Sequence, residues 1–277
     1  AHRAGVIAGI DDDRAILDPG AVDELRLADT GDHDVGTPND FGFNGDRPSH
    51  PELLDWLASE FISGGWSVKK LHKLIMLSNT YQQSSQFNSD AAAIDADNRL
   101  LWRYSPRRLE GEAVRDAMLA VSGQINYAAG GPGFRPFELK IFNSHFYNLT
   151  DSIGPEFNRR TVYRININSA KDPLLESMDC PDPSTKTPKR SVTTTPIQAL
   201  GLMNNSFVQR QARHFAERVR SEAGEDRKAQ VELAYRLALG RGPSVREADR
   251  AEELTGEVGI ASVCWVLLNS SEFMYVR

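Results

Sequence analysis

The sequence predicts a mainly α-helical fold with a small, irregular β-containing insert. Three observations carry this reading. Apolar residues recur at helical spacing through much of 49–122 and 195–269, and cap residues and glycines punctuate those stretches. Only one segment, 160–168, alternates with the two-residue period of a half-buried strand.

The elements follow in order. Residues 1–36 are rich in Asp, Gly and Ala and read as an irregular acidic segment, with at best one short helix at 21–27. Ser49 and Glu52 have the spacing of a capping box around Pro51, and Leu53, Leu54, Trp56, Leu57, Phe61 and Ile62 form one apolar stripe. Gly64-Gly65 stop that helix, since glycine takes a left-handed C-cap without a Cβ clash. Ser67 caps a second helix, and the short joint predicts a helical hairpin. Residues 89–99 read as a polar connection. Ser105-Pro106 open a third helix running to about Ser122, with Leu109, Ala113, Ala117 and Val121 on one face and Gly123 as its stop.

Residues 124–194 have little periodicity and form the insert. Within it Tyr163, Ile165 and Ile167 alternate with Arg164, Asn166 and Asn168, which predicts a strand; 137–142 is its candidate partner. Thr195 and Gln198 form another capping box, opening a helix that kinks or restarts at Asn204-Asn205-Ser206. Helices at 227–239, after the Ser244–Glu247 capping pair, and at about 259–269 complete the chain; the last is apolar on most sides and therefore buried. The domain organisation is thus an atypical segment at 1–36 and a helical domain at 37–277 with an insert at about 124–194.

Charge is uneven. The 277-residue chain has a net charge of −6, but residues 1–40 hold ten acidic side chains against three arginines, so the remainder is close to neutral at +1. No positive field is available to release counterions from phosphates, which excludes an ordinary nucleic-acid binder. No apolar run approaches the roughly 20 residues of a membrane span. The opening Ala1-His2-Arg3-Ala4 lacks the pattern of a signal peptide. Two cysteines, Cys180 and Cys264, are too few for a disulfide framework, and no Cys-x-x-Cys-His haem attachment site occurs. The six histidines show no metal-ligand spacing, so no metal and no cofactor are expected in this chain.

Three clusters are candidate ligand-binding sites, each with a structural alternative. Arg107, Arg108 and Glu110 fall at the predicted start of the third helix, where cations oppose the helix dipole unless they meet an anion; the alternative is ion pairing with Glu110, Glu112 or Asp116. Arg160 precedes the predicted strand, and Asp179 and Asp182 lie in the Pro-bearing loop beyond it; two carboxylates there suit acid/base work or cation binding, or simple turn formation. Arg190, Thr194, Thr195, Gln198 and Asn204 bring a cation, hydroxyls and amides to one helix start, an arrangement suited to an anion or to capping alone. His145, among aromatics at 143–147, lies in a loop that would stack on a sugar or close a small core.

These residues occur within motifs that are recognisable together: Thr37-Pro38-Asn39-Asp40-Phe41-Gly42, Pro48-Ser49-His50-Pro51-Glu52-Leu53-Leu54, Ser78-Asn79-Thr80-Tyr81, Arg107-Arg108-Leu109-Glu110, Arg159-Arg160-Thr161-Val162-Tyr163, Asp179-Cys180-Pro181-Asp182-Pro183 and Gln198-Ala199-Leu200. The chain over 37–277 resembles the planctomycete-specific domain of unknown function numbered 1553. The resemblance implies the C-terminal domain of an exported multidomain protein, with haem only on an associated c-type cytochrome module and with that module and other domains of the same protein as partners. It implies no reaction and no catalytic residue. Residues 1–36 depart from the family, lacking its usual Asn-Arg-x-Trp helix and Phe-Gly-x-Gly-Leu-Val stretch. The expected function is a scaffold or a module binding an anionic or carbohydrate ligand. The alternative is a polysaccharide-directed hydrolase or an accessory to a redox enzyme, using Asp179, Asp182 or Glu110 as acid or base.

Overall fold

The computed structural model describes residues 43–276, and the expectations for 1–36 lie outside them. Two compact units are present, the first ending at Arg107 and the second spanning Arg108–Val276. Among the described residues there are eleven α-helices and only short strands, a mainly helical fold with a small β insert.

In the first unit, α1 (Pro51–Ser63) starts at a proline whose fixed φ suits the first helical turn. Its N-cap is His50 and no side chain caps it, so the expected Ser49–Glu52 box does not form. Ser49 Oγ instead lies 2.8 Å from His50 Nδ1. After the Gly64-Gly65 joint, Ser67 Oγ accepts from the Lys70 N–H (3.4 Å) and opens α2 (Val68–Met76). The helices meet through Leu57, Phe61 and Leu71, with Leu54, Val68 and Ile75 beside them. A third helix, α3 (Ser89–Ile94), replaces the expected polar connection, because the Asn88 side-chain oxygen accepts from the Asp90 and Ala91 N–H groups.

The second unit departs from expectation at its entry. Arg107–Arg108 are extended (β1), and α4 begins at Gly111, five residues beyond the predicted Pro106. The Leu109 N–H donates to the Met274 carbonyl at 2.7 Å, a long-range bond that holds this stretch out of the helix. Gly111 is required where α4 begins: a Cβ there would lie 2.8 Å from Met178 Cβ.

The insert holds an antiparallel hairpin of β2 (Phe137–Ile141) and β3 (His145–Leu149), in which Leu139 faces Tyr147. Residues 137–142 were expected to pair with 160–168, but the nearer 145–149 takes the role, and His145 stands in a strand rather than a loop. The 160–168 segment is not a strand. It carries 3-10 turns at Thr161–Tyr163 and Asn168–Ala170, and only Phe134 pairs with it, accepting from the Ile165 N–H and donating to the Tyr163 carbonyl. A short helix, α5 (Pro173–Ser177), follows, capped by Asp172.

α6 (Pro196–Asn204) begins with the predicted capping box, both halves of which are formed. Asn205 ends it and caps α7 (Ser206–Ala223), so the helix restarts as the Asn-Asn-Ser sequence predicts. α7 is central to the core. Its Val208, Ala212, Phe215, Ala216 and Val219 are buried at helical spacing. α8 (Arg227–Leu239) and α10 (Ile260–Leu268) pack against it, α9 (Val245–Val258) packs on α8 and α10, and α11 (Ser271–Met274) with β4 (Tyr275–Val276) closes the unit. Gly240, at φ 70°, ends α8 in the left-handed conformation. Arg241 then bonds Glu247, the capping residue of α9, through both Nη atoms (2.9 and 2.8 Å), and reaches Glu272 of α11 through Nε (2.7 Å).

Candidate functional site

The sequence-predicted residues of the second unit fall into four groups. The first is built around Asp179, which leaves α5 with a positive φ of 62°. Its carboxylate accepts from Arg108 Nη2 (2.5 Å), the Thr193 N–H (2.9 Å), the Thr193 hydroxyl (2.8 Å) and Gln198 Nε2 (3.1 Å). Arg108 Nη1 also donates to the Thr193 carbonyl and to Gln198 Oε1. Gln198 is held in turn by the capping box, accepting from the Thr195 N–H at 3.2 Å. The Arg108 side chain is 5% exposed and that of Asp179 is 17%. Burial pushes the Asp179 carboxyl upward, but the Thr193 N–H, the Arg108 guanidinium and the Thr193 hydroxyl outweigh it and hold it below the ordinary carboxylate value.

The second group centres on Arg190, whose Nη1 lies 2.7 Å from Glu112 and 3.3 Å from Glu110. The Cys180 thiol donates to Glu112 at 3.5 Å. Burial and then the Glu112 charge push that thiol up to about 11, away from thiolate chemistry at neutral pH. For Glu112 itself burial acts upward, yet Arg190 and the backbone leave it lowered.

Asp182 belongs to a third group. It accepts from the Ser184 hydroxyl (2.6 Å), the Ser184 N–H (2.9 Å) and Lys171 (3.1 Å), and these donors bring it down to about 2. Arg160 stands in a fourth, 3.7 Å from Asp116. Thr194 lies 3.4 Å from the Tyr275 hydroxyl, Asn204 bonds Leu200 of its own helix, and Arg107 is exposed. Arg108, Asp179, Thr195 and Gln198 are thus brought together, while Glu110 with Arg190, Asp182 and Arg160 are not part of that cluster.

Sequence reasoning missed a buried cation hub. Arg115 donates to the carbonyls of Phe157 (2.7 Å) and Arg159 (3.1 Å) and to the Thr161 hydroxyl (3.1 Å), with its guanidinium over the rings of Phe134 and Phe207. The signal was available: Arg115 follows Val114 and precedes Met118 on the buried face of α4, where an arginine requires partners. It staples the irregular insert to the helical body.

Chemically, Asp179, Glu112 and Asp182 are paired and lowered carboxylates, and Cys180 is a raised thiol. A general acid or base at neutral pH needs the opposite, a carboxylate raised toward 7. Among the described residues no group of three or more His, Cys, Asp or Glu is placed to hold a metal ion.

The family model described as PSD1, protein of unknown function (DUF1553), matches residues 31–255. The chain belongs to the PSD1 family. No curated protein and no solved structure matches it. The match takes in all four clusters, so the closed pairings lie within the PSD1 region itself. No helix among the described residues is long and apolar enough to cross a membrane.

Proposed function

We propose that this PSD1 chain is a non-catalytic scaffold and binding module of an exported, planctomycete-type multidomain protein, working beside a c-type cytochrome module of the same protein. The observation that supports it is the state of Asp179. A carboxylate that accepts from an arginine, a threonine N–H and hydroxyl, and a glutamine is fully employed in joining β1, the loop after α5 and the start of α6. Glu110 and Asp182, the other acid/base candidates, are likewise paired with Arg190 and Lys171. The haem belongs to the neighbouring module, and this chain supplies surface.

The test pairs two measurements on the whole chain. Titration against the c-type cytochrome module of the same protein is expected to give saturable binding by calorimetry. Incubation with sulfated and uronic-acid glycans is expected to give no cleavage by the unaltered chain or by Asp179→Asn, which is expected only to lower the melting temperature. Glycan cleavage abolished in a folded Asp179→Asn variant would replace this reading with the hydrolase.

A further inference from the structure

We propose that the groove of the first unit is the docking site for an amphipathic helix with acidic flanks. This rests on the assembly reading and names the chemistry of the partner segment. The groove has a volume of about 810 Å³ and is lined by α1, α2 and residues 98–105.

Its floor is apolar. Leu53 and Trp56 line it from α1, Leu74 from α2 and Leu77 from the C-cap of α2, and all four remain exposed, Trp56 at 49% and Leu77 at 63%. Leu53 and Trp56 are three residues apart, as are Leu74 and Leu77, so each helix contributes one stripe. The α1–α2 hairpin buries only Leu57, Phe61 and Leu71 among its own apolar residues, which is a core lacking one layer. A third helix laid along the stripes supplies that layer and satisfies its own backbone hydrogen bonds while doing so. The length fits: α1 has 13 residues, about 20 Å at 1.5 Å per residue.

Charge selects the flanks. Among the described residues, Lys70, Lys73 and Arg103 line the groove, and no Asp or Glu does. Lys70 Nζ donates to the Gly64 carbonyl (3.2 Å), and among the described residues neither lysine pairs with a carboxylate. Arg103 stacks on Phe87 and Trp102, and its Nε is buried with no hydrogen-bond partner. A helix with Glu or Asp beside its apolar stripe meets these cations, whereas a basic helix is repelled.

The probe is a labelled synthetic helix of about four turns, with Leu at i, i+3, i+4 and i+7 and Glu on both flanks, followed by fluorescence anisotropy on the whole chain. A second version carries Lys in place of Glu. The Glu version is expected to bind saturably, and Lys70→Glu with Lys73→Glu to weaken it about tenfold. The same double variant is expected to gain affinity for the Lys version, a reciprocal change that misfolding does not produce. If the charge-reversed pair does not fold, Lys70→Gln with Lys73→Gln, expected to lower affinity less, takes its place. Equal binding of both peptides to the unaltered chain, absence of saturable binding, or displacement of the Glu peptide by dodecanoate at its own binding concentration overturns the proposal. Undiminished binding of the cytochrome module to the double variant overturns the groove as its docking site and leaves assembly standing; no binding of that module to the unaltered chain, with the Glu peptide still bound, removes the assembly reading alone.

Discussion

The first and second units solve the problem of apolar surface differently. In the second, α7 is packed by α8 and α10 and by α4 and α6, and Phe215, Ala216 and Val219 are fully buried. In the first, a two-helix hairpin buries three apolar side chains and leaves Leu53, Trp56, Ile62, Trp66, Leu74 and Leu77 exposed. The second unit has a large core and charge pairs such as Arg241 with Glu247 and Glu272, although its β2–β3 hairpin and α6 leave Ile141, Phe142, Ile197 and Leu200 exposed. The difference teaches where stability resides and where the proposed docking would draw its energy: hydrophobic burial holds the helical core of the second unit, and the proposed recognition uses the uncovered stripes of the first.

The contrast can be broken most strongly at the core. Phe215→Ala is expected to cost about 4–5 kcal/mol by chemical denaturation, whereas Phe61→Ala is expected nearer 3 kcal/mol because its thin surroundings can collapse. Arg108→Ala is expected to cost about 3–4 kcal/mol, since it leaves the Asp179 charge without its cation in a mostly buried position. Acid sharpens the same point. Asp179 and Glu247 are both lowered in the folded chain, Glu247 to about 2 mainly by the Arg241 hydrogen bond and then by the Ser244 N–H. Their stabilisation is therefore fully present above their unfolded values and lost as pH falls from about 4.5 toward 2. A melting-temperature profile over that window is expected to flatten in Asp179→Asn and Glu247→Gln. Thr195→Ala, which removes one half of the α6 capping box, is expected to cost about 1 kcal/mol. Leu77→Ser in the open unit is expected to change stability by no more than about 0.5 kcal/mol, and a cost above 1 kcal/mol would remove the contrast.

What the sequence made legible is what local chemistry decides. The boxes at Thr195–Gln198 and Ser244–Glu247, the restart at Asn205 and the stop at Gly240 each depend on neighbours within a few residues, and each formed as read. The errors lie where distant chain intervenes. Ser105-Pro106 look like a helix start, but the Met274 carbonyl, far away in sequence, holds Leu109 in an extended path. The alternation at 160–168 is real, yet its ladder amounts to one pairing with Phe134, and 3-10 turns take the rest. The polar clusters were legible as residues and not as pairs. Arg108, Asp179 and Gln198 were each marked as candidates, but the bonds between them span 71 and 90 positions, and no spacing rule reaches that far.

The backbone angle at Asp179 has a consequence for substitution. A φ of 62° belongs to a region that aspartate, asparagine and glycine tolerate better than longer side chains. The position therefore imposes two requirements at once, a negative charge for Arg108 and a short side chain for the turn. Glutamate meets the first, asparagine and glycine meet the second, and among the twenty residues only aspartate meets both. By the usual measure of chemical similarity, Asp179→Glu is a mild exchange; in this fold it keeps the charge and forfeits the geometry that aims it.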